Sequence, residues 1–96
     1  MVEDGRIRLD KWLWQARFFK TRGLSAEQIT AGHVRVNGAK TRKIAHSVRP
    51  GDVITFVQAK QLRIVSVLAC GTRRGPASEA QALYRDEDGE NTVPPE

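Results

Sequence analysis

The chain has 96 residues, 40% of them hydrophobic, with a single cysteine and a formal net charge of +5. A chain this short buries only about two thirds of its unfolded surface, enough for one small core and too little for a separate catalytic domain. Cys70 alone excludes an intramolecular disulfide, and no apolar run reaches the length of a membrane-spanning helix. The charge is uneven. Residues 1–50 hold eleven Lys/Arg against four Asp/Glu, a net +7, whereas residues 51–96 hold five against seven, a net −2. A basic half of this kind points to a polyanionic partner more than to a general solubility device.

In chain order, MVEDGRIR carries no apolar signal core, so residues 1–7 are expected as a flexible N-terminus of a soluble, cytoplasmic protein. Asp10, as N-cap or in the first turn, opens a helix whose core arc at 100° per residue is Leu9, Trp12, Leu13, Ala16 and Phe19. Lys11, Trp14 and Phe18 fall on the opposite side. Thr21 caps a second helix running to Ala31, with Gly32 as its stop, and Ser25 with Gln28 offers a competing start one turn later. Val34 and Val36 alternate with Arg35 ahead of Asn37-Gly38, a strong hairpin signal. Residues 40–43 read as a basic loop and Arg49-Pro50-Gly51-Asp52 as a turn. VITFV (53–57) and LRIVSVL (62–68) read as paired strands, and Ser78 with Gln81 as the capping box of a short final helix. The acidic residues from Asp86 to Glu96 are expected to be disordered. The predicted class is α+β: two N-terminal helices packed on a small, mostly antiparallel sheet, then a short C-terminal helix.

A catalytic or metal centre does not emerge. His33 and His46 lack a carboxylate partner in sequence, and with Cys70 they do not approach metal-ligand spacing. Gly71 and Gly75 bracket Arg73-Arg74 without the Lys-Ser/Thr of a phosphate loop. No enzyme activity, cofactor, metal or small-molecule substrate is expected.

The informative stretch is RLDKWLWQARFFKTR, Arg8 to Arg22, with five cationic side chains and four aromatics in fifteen positions. Cationic stems covering the edges of an ordinary helix would look similar. Positive residues recur, however, at Arg35, Lys40, Arg42 and Lys43, and only Asp10 and Glu27 answer them between Arg6 and Arg49. Phosphates held at several points would fix the orientation of a nucleic acid without reading its sequence.

These residues, R-L-D-K-x-L-x-x-x-R-F-x-K-T-R followed by Ile29, Gly32, V-x-V-N-G and V-x-x-G-D-x-I, resemble the RNA-binding domain first described in ribosomal small-subunit protein four, with its alpha-L motif. The resemblance runs from Arg8 to about Val57, and the assigned domain from 8 to 70. The segment LRIVSVLACGTRRGPASEAQALY is similar to the one that follows this domain in the fifteen-kilodalton ribosome-associated heat-shock protein family. Residues 71–85 are then a basic turn and short helix packed on the domain, and residues 86–96 the acidic tail. The resemblance implies a stress-response protein that binds ribosomal RNA of the free large subunit still carrying nascent chain-tRNA, with tRNA itself a further partner, in recycling or quality control of stalled ribosomes. A monomer with no membrane partner is expected.

Matched to the family's motif, the RNA-contacting positions are Arg8, Lys11, Arg17, Lys20, Thr21 and Arg22. Charge adds Arg35, Lys40, Arg42 and Lys43, for which a solvated loop is an equal reading. Trp14 and Phe18 are open between base stacking and packing. Ser25 stands where alanine is usual, Gln28 where an apolar residue is usual and Ile44-Ala45 where Pro-Ser is common, while Gly75 separates Arg74 from Pro76. The acidic tail stands where longer family members carry a basic extension, so the role of the shorter relatives is an alternative. Rival readings are an RNA-binding accessory module of an RNA-modifying or tRNA-acting enzyme, a protein-interaction module anchored by Trp14 and Phe18, and a DNA-binding protein.

Overall fold

The structure is a computed structural model that describes residues 6–58, 60–71 and 74–87. Its elements in order are β1 (Ile7–Arg8), α1 (Leu9–Gln15), α2 (Arg22–Thr30), β2 (Val34–Val36), β3 (Ala39–Thr41), β4 (Ser47–Val48), β5 (Val53–Gln58), β6 (Gln61–Val67), α3 (Ala77–Gln81) and β7 (Tyr84–Asp86). The class is α+β. A five-stranded antiparallel sheet runs β3-β2-β5-β6-β7, and β1 pairs with β4 as a separate two-stranded ribbon. The alternating strand residues Val34, Val36, Ile54, Phe56, Val65 and Val67 pack with Leu9, Trp12, Leu13 and Ile29 of the helices into one core. Trp12, fully buried, also donates its indole N–H to the Ala69 carbonyl at 3.0 Å, which ties α1 to the chain leaving β6.

The first helix begins in line with one of the two sequence alternatives. Arg8 is its N-cap and makes no side-chain cap, while Asp10 lies in the first turn. The orphan N–H groups are met by backbone instead: Leu9 donates to the His46 carbonyl at 2.8 Å and Asp10 to that of Ile44 at 3.4 Å. The loop of residues 42–46 is thereby fixed against the start of α1. The helix is also shorter than its periodicity suggested, because Arg17 adopts φ 66°. Arg17 N–H bonds to Trp14 O at 3.0 Å and Phe18 N–H to Leu13 O at 3.1 Å, the paired bonds of a left-handed helix stop. This turn exchanges the two phenylalanines. Phe18 points into the core at 6% exposure, and Phe19, assigned to the core by extending the helix, is only half-buried.

Thr21 caps α2 as expected, its hydroxyl accepting from Leu24 N–H at 3.0 Å, so the Ser25–Gln28 alternative falls inside the helix. Gly32, at φ 84°, stops it, with Gly32 N–H on Ile29 O and His33 N–H on Gln28 O, each 3.0 Å. Asn37 and Gly38 both take positive φ (53° and 86°), the two-residue turn whose twist suits a hairpin. The basic stretch after it is partly strand, since Ala39–Thr41 pair with β2.

The C-terminal end departs most. Pro76, not Ser78, is the N-cap of α3, without a side-chain cap. Tyr84–Asp86 form β7 against β6, an element absent from the sequence reading. Asp86 closes that strand, and Glu87 after it accepts from the Ser66 hydroxyl at 2.7 Å and from Arg85 Nε at 3.0 Å. Those hydrogen bonds hold its carboxyl below the ordinary range. At the other end Ile7 is buried and pairs with Val48, so the packed elements include a residue before Arg8. Arg73 and the expected flexible or disordered residues 1–5 and 88–96 lie outside the described residues.

Candidate nucleic-acid interface

The site is organised by a carboxylate. Asp10 is 4% exposed, and two arginines converge on it: Arg8 through Nε to Oδ1 at 3.1 Å and Nη2 to Oδ2 at 3.4 Å, and Arg22 through Nη2 to Oδ2 at 3.2 Å. A buried carboxylate needs such partners to offset its desolvation. The guanidinium groups stay half-exposed, at 52% and 43% for their side chains, and each has N–H donors beyond those that meet Asp10. Asp10 thus holds two cations that sequence separates by fourteen positions side by side on the surface.

Ser25 fixes the geometry from beneath. Fully buried, its hydroxyl lies 2.9 Å from the Asp10 carbonyl and 2.8 Å from the Arg22 carbonyl. It joins the first turn of α1 to the first turn of α2, so a serine in place of the usual alanine has a structural consequence that the sequence comparison passed over. Sequence reasoning also missed Asp10 as an organiser. The available signal was a lone acid inside a run of cations.

Lys11, one residue after Asp10 on α1, is half-buried, and Lys20 and Thr21 are exposed beside Arg22. Arg8, Lys11, Lys20, Thr21 and Arg22 therefore cluster around the adjoining N-terminal ends of α1 and α2. Arg17 does not join them: its Nε donates to the Gly75 carbonyl at 2.9 Å, tying the end of α1 to the segment before α3. Trp14 is half-buried, with the Arg74 guanidinium 5.6 Å from its ring centre and Arg74 Nε donating to the Trp14 carbonyl at 3.1 Å. Phe18 lies among Tyr84, Phe56 and Trp12, with ring centres 4.6, 4.8 and 6.0 Å away, and Arg63 stacks at 5.5 Å. Its ring is a packing element and is not offered to a base.

The remaining cations lie elsewhere. Arg42 rests its guanidinium on Gly32, where a Cβ would come within 3.1 Å of Nε. That is the C-terminal end of α2, where the helix dipole favours a cation, about 13 Å from Arg22 at 1.5 Å per residue. Arg35 and Lys40 are cross-strand neighbours, both exposed and out of phase with the buried Val34 and Val36, so they project from the sheet face away from the core. Lys43 is exposed in the loop after β3.

Among the described residues no group of three or more His, Cys, Asp or Glu could hold a metal, and no helix is long and apolar enough to cross a membrane. His33 pairs its Nδ1 with Gln28 Oε1 at 3.0 Å, giving that unusual glutamine a partner. Burial, then the Asp52 carboxylate, push the Cys70 thiol above its ordinary value, which disfavours a nucleophilic thiolate.

Comparison with known proteins gives the family. The model of the family described as S4 domain matches residues 7–54. Heat shock protein 15 of Escherichia coli strain K12 is 45% identical over 80 residues, 83% of this chain and 59% of that protein. The Heat shock protein 15 homolog of Aeromonas salmonicida is 43% identical over 81 residues, 84% of this chain and 61% of that one. Small ribosomal subunit protein uS4 of Bradyrhizobium sp. strain BTAi1 is 42% identical over 59 residues, 60% of this chain and 29% of its own length. The chain thus spans about three fifths of the length of its Heat shock protein 15 relatives. A solved structure of Vibrio cholerae Heat Shock Protein 15, described as trimeric, matches with a TM-score of 0.84 and 39% identity over 91% of this chain and 87% of that one. With the S4 match falling on the helix pair that Asp10 and Ser25 lock together, and the structural match continuing through the C-terminal strands, the chain belongs to the S4-domain proteins of the Heat shock protein 15 family.

Proposed function

We propose that this chain is a non-enzymatic RNA-binding protein that grips the phosphate backbone of structured RNA at the α1–α2 corner. The observation that carries the proposal is the pair of half-exposed guanidiniums, Arg8 and Arg22, held on one buried carboxylate inside the S4 segment. Two forks fixed in advance lose little conformational freedom when phosphates arrive. Lys11 and Lys20 add point charges on either side, and the Thr21 hydroxyl, though its oxygen accepts from Leu24 N–H, keeps its proton to donate to a phosphate. The deep major groove of A-form RNA does not admit side chains and the shallow minor groove offers mainly 2′-hydroxyls and shape, so recognition at this corner is of backbone and shape. Arg42 extends the surface along α2, while Arg35, Lys40 and Lys43 form a second, weaker contact.

The RNA we assign is ribosomal RNA of the free large subunit carrying nascent chain-tRNA, with the protein acting in the cytoplasm in recycling or quality control of stalled ribosomes. The likeness to Heat shock protein 15 supports a stress-linked role, and the basic corner supports an RNA target. One chain per RNA site is the working stoichiometry; a trimer, as described for the Vibrio cholerae protein, is the alternative that sedimentation velocity distinguishes. Purified large subunits with and without peptidyl-tRNA, sedimented through sucrose with the protein, test the assignment. Co-migration with tRNA-bearing large subunits is the expected result. Protein that remains at the top at low salt would remove the large subunit as the target.

A further inference from the structure

Gln15, the last residue of α1, is fully buried, and neither its amide nitrogen nor its carbonyl oxygen has a hydrogen-bond partner. Leaving a buried amide without partners is unfavourable, because its lost hydration is not replaced. It borders a cleft of about 260 Å³ between the end of α1, the segment around Cys70 and Gly71, and α3. From α3 the wall is Ala80 and the adjoining Leu83, apolar surface, with the Glu79 carboxylate at the same cleft. On α1, Gln15 lies one turn beyond Lys11 and next to Trp14, the ring on which Arg74 stacks.

From this placement we infer a nucleobase pocket: one unpaired base of the bound RNA enters the cleft, and Gln15 hydrogen-bonds its edge. The inference rests on the RNA-binding reading and deepens it. The cleft exceeds the volume of one planar base, and its walls offer apolar surface and backbone. A carboxamide presents one acceptor beside one donor, the pattern that pairs two-pronged with adenine. Unpaired, splayed-out bases are what proteins read on RNA. With the Gln15 side chain rotated toward the cleft, the edge of a bound base supplies both missing partners at once.

The test uses the full chain and RNA hairpins that differ at one bulged position: adenine, an abasic sugar with the same backbone charge, or no bulge. Wild type should bind the adenine bulge about tenfold more tightly than the abasic one. Gln15→Met, close in length and without an amide, should reduce that preference to about twofold at unchanged salt dependence. Loss of an orphan amide should raise its melting temperature, so misfolding does not cloud the comparison. Equal wild-type binding of adenine and abasic bulges, or a preference that survives in Gln15→Met, overturns the pocket while leaving phosphate binding intact. No binding of any hairpin at low salt overturns the RNA-binding reading itself.

Discussion

Changing Arg8, Lys20 and Arg22 together to Ala is expected to lower RNA affinity about a hundredfold at 0.1 M salt. Each side chain releases one counterion on contact with a phosphate, so the slope of log affinity against log salt should flatten by roughly 2–3. Filter binding of a ribosomal RNA fragment across a salt series measures both. Removing both arginines also leaves Asp10, 4% exposed, without its ion-pair partners, and a buried carboxylate so stripped destabilises the corner. The companion variant Lys11→Ala with Lys20→Ala leaves that network whole. It should lose about tenfold in affinity with an unchanged melting temperature, which separates the phosphate grip from folding. An unchanged slope in the triple variant would mean that these side chains do not reach phosphates.

Phe18→Ala is expected to be strongly destabilising, at about 3–5 kcal/mol. Its ring joins α1 to the sheet through Trp12 and Phe56 and to the C-terminal strand through Tyr84, so deletion opens a cavity where three layers of the core meet. A domain of this length carries about 5–14 kcal/mol in total, and at this size 1 kcal/mol shifts the melting point by about 4–8 °C. Thermal unfolding should show a drop of about 15–30 °C. A drop below about 5 °C together with lost RNA binding would instead identify Phe18 as a stacking residue.

Phe18 also shows where sequence reasoning gave out. Helical periodicity placed it opposite the core, and the placement failed because Arg17 takes a left-handed conformation more usual for glycine. No neighbouring residue announces that turn; its anchor is the Gly75 carbonyl, 58 residues on. Local chemistry was legible where one residue suffices: Thr21 as cap, Gly32 as stop and Asn37-Gly38 as turn each act through their own backbone or hydroxyl. Features that need distant partners were not. β7 exists because β6 offers an edge, and Ser66 and Arg63 reach Glu87 and Asp86, residues whose composition alone reads as a solvated tail. The corner was half legible, since the cations stood out in the sequence while the acid that aligns them looked like a helix-start residue.

Asp10→Asn decides most directly whether alignment matters. Charge alone predicts tighter RNA binding, because the net charge rises by one from +5 at a surface that meets phosphates. Alignment predicts the reverse. The neutral amide no longer holds Arg8 and Arg22 by charge, and ordering each guanidinium on binding costs about 0.5–1.5 kcal/mol. The expected result is a three- to tenfold loss of affinity for the same ribosomal RNA fragment, with the melting temperature lowered by only a few degrees. Affinity that rises in Asp10→Asn would show that the two arginines need no carboxylate to find their phosphates, and the central claim would fall.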